Sequence, residues 1–273
     1  MPGPHGQLAL ITGAASGLGR ELAVALAARG DCLYLVDRDL AGLQDLQRQH
    51  PAGITRLLAC DLGEPAQRAG LIRAMRADVP SLDILINCAG IGSHSSLQQL
   101  TPEEVSQVMQ VNAVAPLELA AGLYPLLVGS AAGCIVNIGS TAGEATLPSL
   151  GLYCASKAAL HAFSRAIEME RWGTHVRCLL VILGSLRDTR FGQSIRHPAG
   201  GRPGWYRRLD AHPADVARAI VAAIERGQGR LVYPSWYSQA LWAAAVFSPL
   251  AGLITKVGYR RLRAAAQYLG DRT

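Results

Sequence analysis

Tyr153 and Lys157 stand four residues apart, and Ser140 stands thirteen before the tyrosine. A phenol exchanges protons poorly at neutral pH, because its ordinary pKa is about 10. A lysine one helical turn further on lies on the same face of a helix. Its positive charge favours the phenolate and lowers that pKa. A shift of about three units needs roughly 4 kcal/mol, at about 1.36 kcal/mol per unit. A partly desolvated ammonium beside the phenol can supply that. The tyrosine would then trade a proton with an alcohol or ketone oxygen, with the serine hydroxyl as a second hydrogen-bonding group. The plain alternative is a surface tyrosine and lysine that happen to share a helix face, and the surrounding elements decide between the two.

Apolar runs and amphipathic segments alternate along the chain. Leu8–Thr12, Cys32–Asp37, Ile54–Cys60, Ile84–Asn87, Cys134–Ile138, Val176–Val181 and Leu231–Tyr233 read as buried strands. Leu18–Arg29, Asp39–His50, Glu64–Ala77, Tyr153–Trp172 and Pro213–Arg226 read as helices. Another starts at Thr101-Pro102-Glu103-Glu104, with a threonine cap, a first-turn proline and two acids, and runs to about Val128 despite Pro116. Continuous apolar strands alternating with helices predict an α/β fold: a Rossmann-type, doubly wound, mostly parallel sheet of about seven strands with helices on both faces. We expect one such domain over residues 1–234, including a loop at 185–212 rich in Gly, Pro and Arg. A C-terminal extension follows over 235–273.

The first strand runs into Thr12-Gly13-Ala14-Ala15-Ser16-Gly17-Leu18-Gly19. Glycines there permit a tight turn and close approach of backbone to a pyrophosphate. The helix N-terminus behind them offers unpaired N–H groups and the positive end of its dipole. Asp37 ends the next strand 18 residues after Gly19, about where an acid would meet a ribose hydroxyl. A glycine-rich turn with no ligand is the alternative, and the order strand, loop, helix, strand, acid argues against it.

The spacing is GxxxGxG. With Asp37, Asp61-Leu62, Asn87-Cys88-Ala89-Gly90, Asn112, Ser140 and Tyr153-Cys154-Ala155-Ser156-Lys157, it resembles the single-domain short-chain dehydrogenase/reductase family from about residue 8 to about 190. The resemblance implies a nicotinamide cofactor across the C-terminal edge of the sheet. Gly13, Ser16, Gly17, Leu18 and Gly19 would hold its phosphates and ribose, and Asp61 and Leu62 would contact the adenine. Asn87, Ala89 and Gly90 would line the segment beside the adenosine ribose. Tyr153 would be the general acid/base. Lys157 would bind the nicotinamide ribose and depress the tyrosine pKa. Ser140 would steady the substrate oxygen. Asn112 would hold a water that relays protons from Lys157, with a helix-kink residue as its other reading. Self-association as a homodimer or homotetramer is also implied, through helices near 103–128 and 153–172. Ala113, Ala115, Ala120, Ala121, Ala155, Ala158, Ala159 and Ala162 would either allow close approach there or pack on the chain's own sheet.

Asp37 would accept hydrogen bonds from a free 2′-hydroxyl and repel a 2′-phosphate, which favours NAD(H). Arg38 beside it can bind a 2′-phosphate, so NADP(H) stays open. The sequence departs from the family at Val181-Ile182-Leu183-Gly184-Ser185-Leu186-Arg187-Asp188-Thr189. Leu183 replaces a usual proline, and Asp188 takes a usual threonine position, with Thr189 one further on. Ile182 and Gly184 would still bind the cofactor through backbone.

Half the 273 residues are apolar and 17% are charged, enough for a large core and against disorder. The six cysteines are scattered with no CxxC, so we expect reduced thiols in a cytoplasmic protein without disulfides. The N-terminus lacks the pattern of a secretory signal. The seven histidines form no metal-ligand pattern; His5 and His50 read as exposed and His161 as packing. Residues 1–169 carry 10 basic and 14 acidic side chains, net −4, and residues 170–273 carry 16 and 6, net +10. The basic half could face an anionic partner such as a membrane surface, or simply reflect arginine usage. No nucleic-acid motif accompanies it. Leu231–Thr255 is uncharged, broken by Pro234 and by Ser248-Pro249, and is followed by Lys256, Arg260, Arg261 and Arg263. It could lie on the inner face of a membrane, through residues 235–263, or pack on the domain or a partner subunit. Either suggests a small lipophilic alcohol or ketone as substrate, with Trp205 and Tyr206 as candidate lining residues. The expected reaction is hydride transfer between a hydrophobic secondary alcohol and its ketone. Its rivals are an NADPH-dependent 3-oxoacyl reductase and a non-catalytic nucleotide-binding scaffold at a membrane.

Overall fold

Alternation along each strand sends successive side chains to opposite faces of a sheet. In the computed structural model Ala9, Ile11, Leu33, Leu35, Ile84, Ile86, Val136 and Val181 lie in one buried cluster. Leu10, Tyr34, Val36, Leu85, Ile135 and Cys178 lie in another. Both faces are therefore covered, as continuous apolar strands require. The structure describes residues 6–146, 149–170, 173–187 and 210–237.

Seven strands form one sheet: β1 (Leu8–Thr12), β2 (Cys32–Asp37), β3 (Ile54–Ala59), β4 (Ile84–Asn87), β5 (Cys134–Ser140), β6 (Arg177–Leu183) and β7 (Arg230–Tyr233). All neighbours pair in parallel, in the order β3-β2-β1-β4-β5-β6-β7. The order reverses between β1 and β4. Ligands of such sheets bind in the crevice outside the strand ends at that switch point.

The helices are α1 (Gly17–Ala28), α2 (Leu40–Gln49), α3 (Pro65–Asp78), α4 (Pro102–Met109), α5 (Ala115–Val128), α6 (Gly151–Glu170) and α7 (Pro213–Glu225). Helices α1, α2 and α7 contribute to the first cluster, and α3 and α5 to the second. Thr101 caps α4 as expected, its hydroxyl accepting the Glu104 N–H at 3.2 Å. The single helix expected to Val128 is instead interrupted by a π turn, Gln110–Val114, between α4 and α5. Pro116 explains the break: it has no N–H for the carbonyl one α-turn back, that of Asn112. Strand β5 runs two residues further than its apolar pattern, carrying Ser140 to its end.

The small residues proposed for a subunit contact divide. Ala113, Ala115 and Ala120 are buried in the chain's own core, whereas Ala121, Ala155, Ala158, Ala159 and Ala162 are exposed. Pro102–Val128 is long and apolar enough to span a membrane, but over half of its most apolar stretch is buried inside the fold. Asp188, Thr189, Trp205, Tyr206 and residues 238–273 lie outside the described residues.

Candidate active site

Gly13 leaves β1 at φ +70° and Gly17 opens α1 at φ +53°, backbone conformations that favour glycine. A Cβ on Gly19 would stand 2.1 Å from the Gly13 carbonyl oxygen, and one on Gly13 would stand 2.8 Å from Ala89 Cα. The loop is thus folded against both the helix start and the segment after β4. Ser16 sits at the N-cap of α1 in extended backbone, and its hydroxyl makes no capping bond. Leu18 is buried in the core, so it can offer the crevice only backbone.

Asp37 reaches back to this loop. One carboxylate oxygen accepts the Ala15 N–H at 3.1 Å and the other the Asp39 N–H at 3.0 Å. The acid expected at the ribose therefore also braces the glycine turn. Arg38 is exposed. Asp61 accepts the Gly63 N–H at 2.8 Å. The Leu62 side chain packs in the core, and its carbonyl accepts from Arg68 at 2.7 Å.

Thr12, at the end of β1, ties the next segment down. Its hydroxyl donates to the Ile86 carbonyl and accepts the N–H groups of Cys88 and Ala89, at 3.0 and 3.1 Å. Asn87 donates to Asn137 Oδ1 at 2.8 Å, and Asn137 donates to Ser164 at 2.9 Å. Asn87 Oδ1 is buried without a hydrogen-bond partner among the described residues. A buried, unpaired amide oxygen at the carboxyl end of a central strand is costly unless a ligand meets it. With the two-glycine cradle and the open helix N-terminus, it fits a nucleotide cofactor lying across the ends of β1 and β4. A Cβ on Gly90 would lie 3.6 Å from Lys157 Nζ, so this segment adjoins the proton-transfer group.

Helix α6 presents Tyr153, Ser156, Lys157, Leu160, His161 and Ser164 on its buried face, the spacing of one helical stripe. The Ser140 hydroxyl acts on the buried Tyr153 phenol in the direction that favours the phenolate. Lys157 Nζ donates to the Ile138 carbonyl at 2.9 Å and stands 6.0 Å from the centre of the Tyr153 ring. The four-residue pairing is therefore buried, and the surface alternative fails.

The expected acidification of the phenol does not follow from the chain's own groups. Burial pushes Tyr153 up to about 12, against the neighbouring Ser140 hydroxyl, which lowers it. Burial also pushes Lys157 down to about 8. The physical reason is desolvation: taking both groups out of water disfavours phenolate and ammonium alike. Cys88, beside Lys157, is held as a neutral thiol, pushed up to about 12 by burial.

The Asn112 side chain is engaged with the scaffold. Its Oδ1 accepts the Ile91 N–H at 2.8 Å, and its Nδ2 donates to the Ile91 carbonyl at 2.9 Å and to Ser156 at 3.1 Å. These bonds pin the π turn to the loop after β4. Gly184 is likewise partly committed: its N–H donates to the Tyr233 carbonyl at 3.0 Å. A Cβ there would come within 2.2 Å of the Tyr237 ring, so this glycine serves packing; its carbonyl remains for a ligand.

Sequence reasoning missed three supports. Thr12 looked like the last residue of a strand. Arg68, inside the expected helix Glu64–Ala77, is fully buried and donates to Glu118, Gln110 and Leu62. His161 was read as packing, yet its Nε2 accepts the Ser140 N–H at 3.2 Å and its Nδ1 pairs with Glu144 at 3.0 Å. The one available signal was that His161 falls on the same stripe as Tyr153 and Lys157.

A family model described as short chain dehydrogenase matches residues 7–200. The ketoacyl reductase HetN of Nostoc sp. is 31% identical over 222 residues, covering 81% of this chain and 76% of that protein. The glycine betaine reductase ATRR of Emericella nidulans is 31% identical over 226 residues, but the chain spans only 18% of its length. A short-chain dehydrogenase from Sphingobium yanoikuyae, solved with NADPH, superposes with a TM-score of 0.76 at 29% identity, covering 91% of this chain and 95% of that one. One from Burkholderia phymatum, solved with NAD, superposes at 0.78 and 25% identity, covering 92% and 97%.

Proposed function

This chain belongs to the short-chain dehydrogenase family, and we propose that it interconverts a hydrophobic secondary alcohol and its ketone, preferring NAD(H). It is an oxidoreductase acting on alcohol and ketone groups, with a crevice for a nicotinamide dinucleotide. The observation that carries the proposal is the buried Tyr153 phenol, acted on by the Ser140 hydroxyl, with Lys157 Nζ 6.0 Å from its ring. The cofactor, when bound, supplies or accepts the hydride, and the protein handles the proton.

The protein's side of reduction runs as follows. Ser140 and Tyr153 hold the ketone oxygen between two hydroxyls. As negative charge grows on that oxygen, Tyr153 gives up its proton and the Lys157 ammonium offsets the phenolate charge. In oxidation the same groups run in reverse, with the tyrosine oxygen as proton acceptor. The glycine loop, the α1 N-terminus, Asp37 and Asn87 would hold the dinucleotide. NAD(H) preference rests on the Asp37 carboxylate at the ribose end of that cradle. NADPH in the Sphingobium relative keeps the other coenzyme in play.

A lipophilic substrate is favoured by the uncharged run from Leu231 to Thr255 and by the adjoining basic tail. The same features support contact with a membrane surface, and the scattered cysteines support a cytoplasmic protein. The exposed alanines of α5 and α6 support self-association as a dimer or tetramer. A second reading, a 3-oxoacyl reductase, is favoured by the likeness to a ketoacyl reductase. Steady-state turnover of a panel of ketones, alcohols and 3-oxoacyl thioesters with each coenzyme separates the two. Tyr153→Phe should lower kcat about 10²- to 10⁴-fold while leaving coenzyme affinity in place. Equal rates in wild type and variant would remove the mechanism.

A further inference from the structure

We propose that His161, oriented by Glu144, is the positioning residue that sets Ser140 against Tyr153. This rests on the proposed proton-transfer roles of the serine and tyrosine. A backbone N–H can only donate, so the Ser140 N–H at 3.2 Å requires Nε2 of His161 to be an unprotonated acceptor. The ring proton then sits on Nδ1 and donates to Glu144 Oε1 at 3.0 Å. Glu144 thereby fixes the tautomer, and the tautomer fixes the serine.

The fold makes room for this ring. A Cβ on Gly139 would stand 2.3 Å from His161 Nε2, and one on Gly143 would stand 2.6 Å from its Cε1. The imidazole is fully buried between two glycines that flank the serine segment. The Ser140 hydroxyl in turn accepts the Ala142 N–H at 3.2 Å, so the turn over 140–144 closes on itself around the ring. The charged groups facing His161 are Glu144 from this turn and Lys157 and Arg165 from α6; Arg165 also reaches Glu144, at 3.6 Å. Burial lowers the His161 pKa, opposed by Glu144 and reinforced by the two cations. The neutral ring is thus the form the site maintains. Protonation would put an N–H against the Ser140 N–H and break the bond.

Three measurements on the full chain test this. Long-range ¹H–¹⁵N correlation of the imidazoles at neutral pH should show His161 protonated on Nδ1 alone; an imidazolium or an Nε2–H tautomer overturns the proposal. This readout needs no turnover, so it decides the pairing even if wild type reduces or oxidises nothing, a result that would sink the function reading instead. Kinetics form the second arm. His161→Asn keeps a donor for Glu144 but no acceptor for Ser140, whereas His161→Gln restores an acceptor at the Nε2 position. A displaced reacting group can cost about a hundredfold, so His161→Asn should lower kcat about ten- to a hundredfold. Coenzyme affinity, read by NADH fluorescence, should hold, and His161→Gln should recover much of the loss. Wild-type kcat in a folded His161→Asn protein overturns the proposal. The third arm is pH. The acid limb of kcat/KM should lie below the ordinary histidine range and move lower in Glu144→Gln, which keeps an acceptor but removes the charge that favours imidazolium. A limb that stays in place overturns it, and this arm decides if His161→Asn does not fold.

Discussion

Lys157 Nζ stands 6.0 Å from the centre of the Tyr153 ring, and both side chains are buried. Each is shifted mainly by its own burial, the phenol up and the amine down. The pair holds two protons below about 8, where Lys157 begins to deprotonate, and loses the second near about 12, where Tyr153 does. Reduction uses a protonated phenol backed by an ammonium, so its kcat/KM should hold a plateau above the His161 acid limb and fall above about 8. Oxidation needs the tyrosine oxygen as proton acceptor, so its rate should instead climb with pH towards about 12. Parallel pH profiles in the two directions would contradict this assignment.

The depressed lysine is also a statement about stability. Its folded pKa of about 8 lies below the ordinary 10.5, so burial of the charge penalises the fold fully below about 8. The penalty fades as pH rises from there towards 10.5. At about 1.36 kcal/mol per unit it amounts to roughly 3 kcal/mol. Lys157→Met should therefore raise stability near neutral pH by about 2 kcal/mol, the lost bond to Ile138 offsetting about 1. Denaturant unfolding at neutral and alkaline pH should show that gain shrinking as pH rises, in a variant without turnover.

Asp37 joins coenzyme choice to loop order through its bond to the Ala15 N–H. Asp37→Ala should raise the NADP(H)-to-NAD(H) ratio of kcat/KM about tenfold or more, by removing a like charge from the 2′-phosphate position. Absolute efficiency with NAD(H) should fall as well, since the glycine turn loses its brace. A wild type that already prefers NADP(H) strongly would refute the role given to this acid.

The closest approach within the glycine loop is at Gly19. Gly19→Ala places a Cβ 2.1 Å from the Gly13 carbonyl oxygen, and backbone must move to admit it. Coenzyme affinity should drop about tenfold or more, because the turn no longer presents its N–H groups together. Wild-type binding by calorimetry would show that the loop has room to spare.

The fold class was legible because burial on both faces makes strands continuously apolar, a pattern that survives in one dimension. Leu8–Thr12, Cys32–Asp37 and Ile84–Asn87 came out with the expected bounds for that reason. The π turn did not, because its cause is one missing N–H at Pro116 inside an otherwise helical stretch. The end of β5 was also missed, since Gly139 and Ser140 carry no apolar signal.

Sequence alone placed Ser140, Tyr153 and Lys157 in one site and set a glycine turn ahead of an acid, because residue types and spacing encode those features. Only the tertiary structure decided which protons these groups hold. Desolvation depends on what covers a side chain from every direction, and that raised the phenol and lowered the amine. It also decided that Asn112 braces a loop with its amide, that Arg68 ties the π turn from behind, and that His161 grips the serine backbone. Each of these contacts joins residues 21 to 42 positions apart, a distance over which a local pattern carries no information.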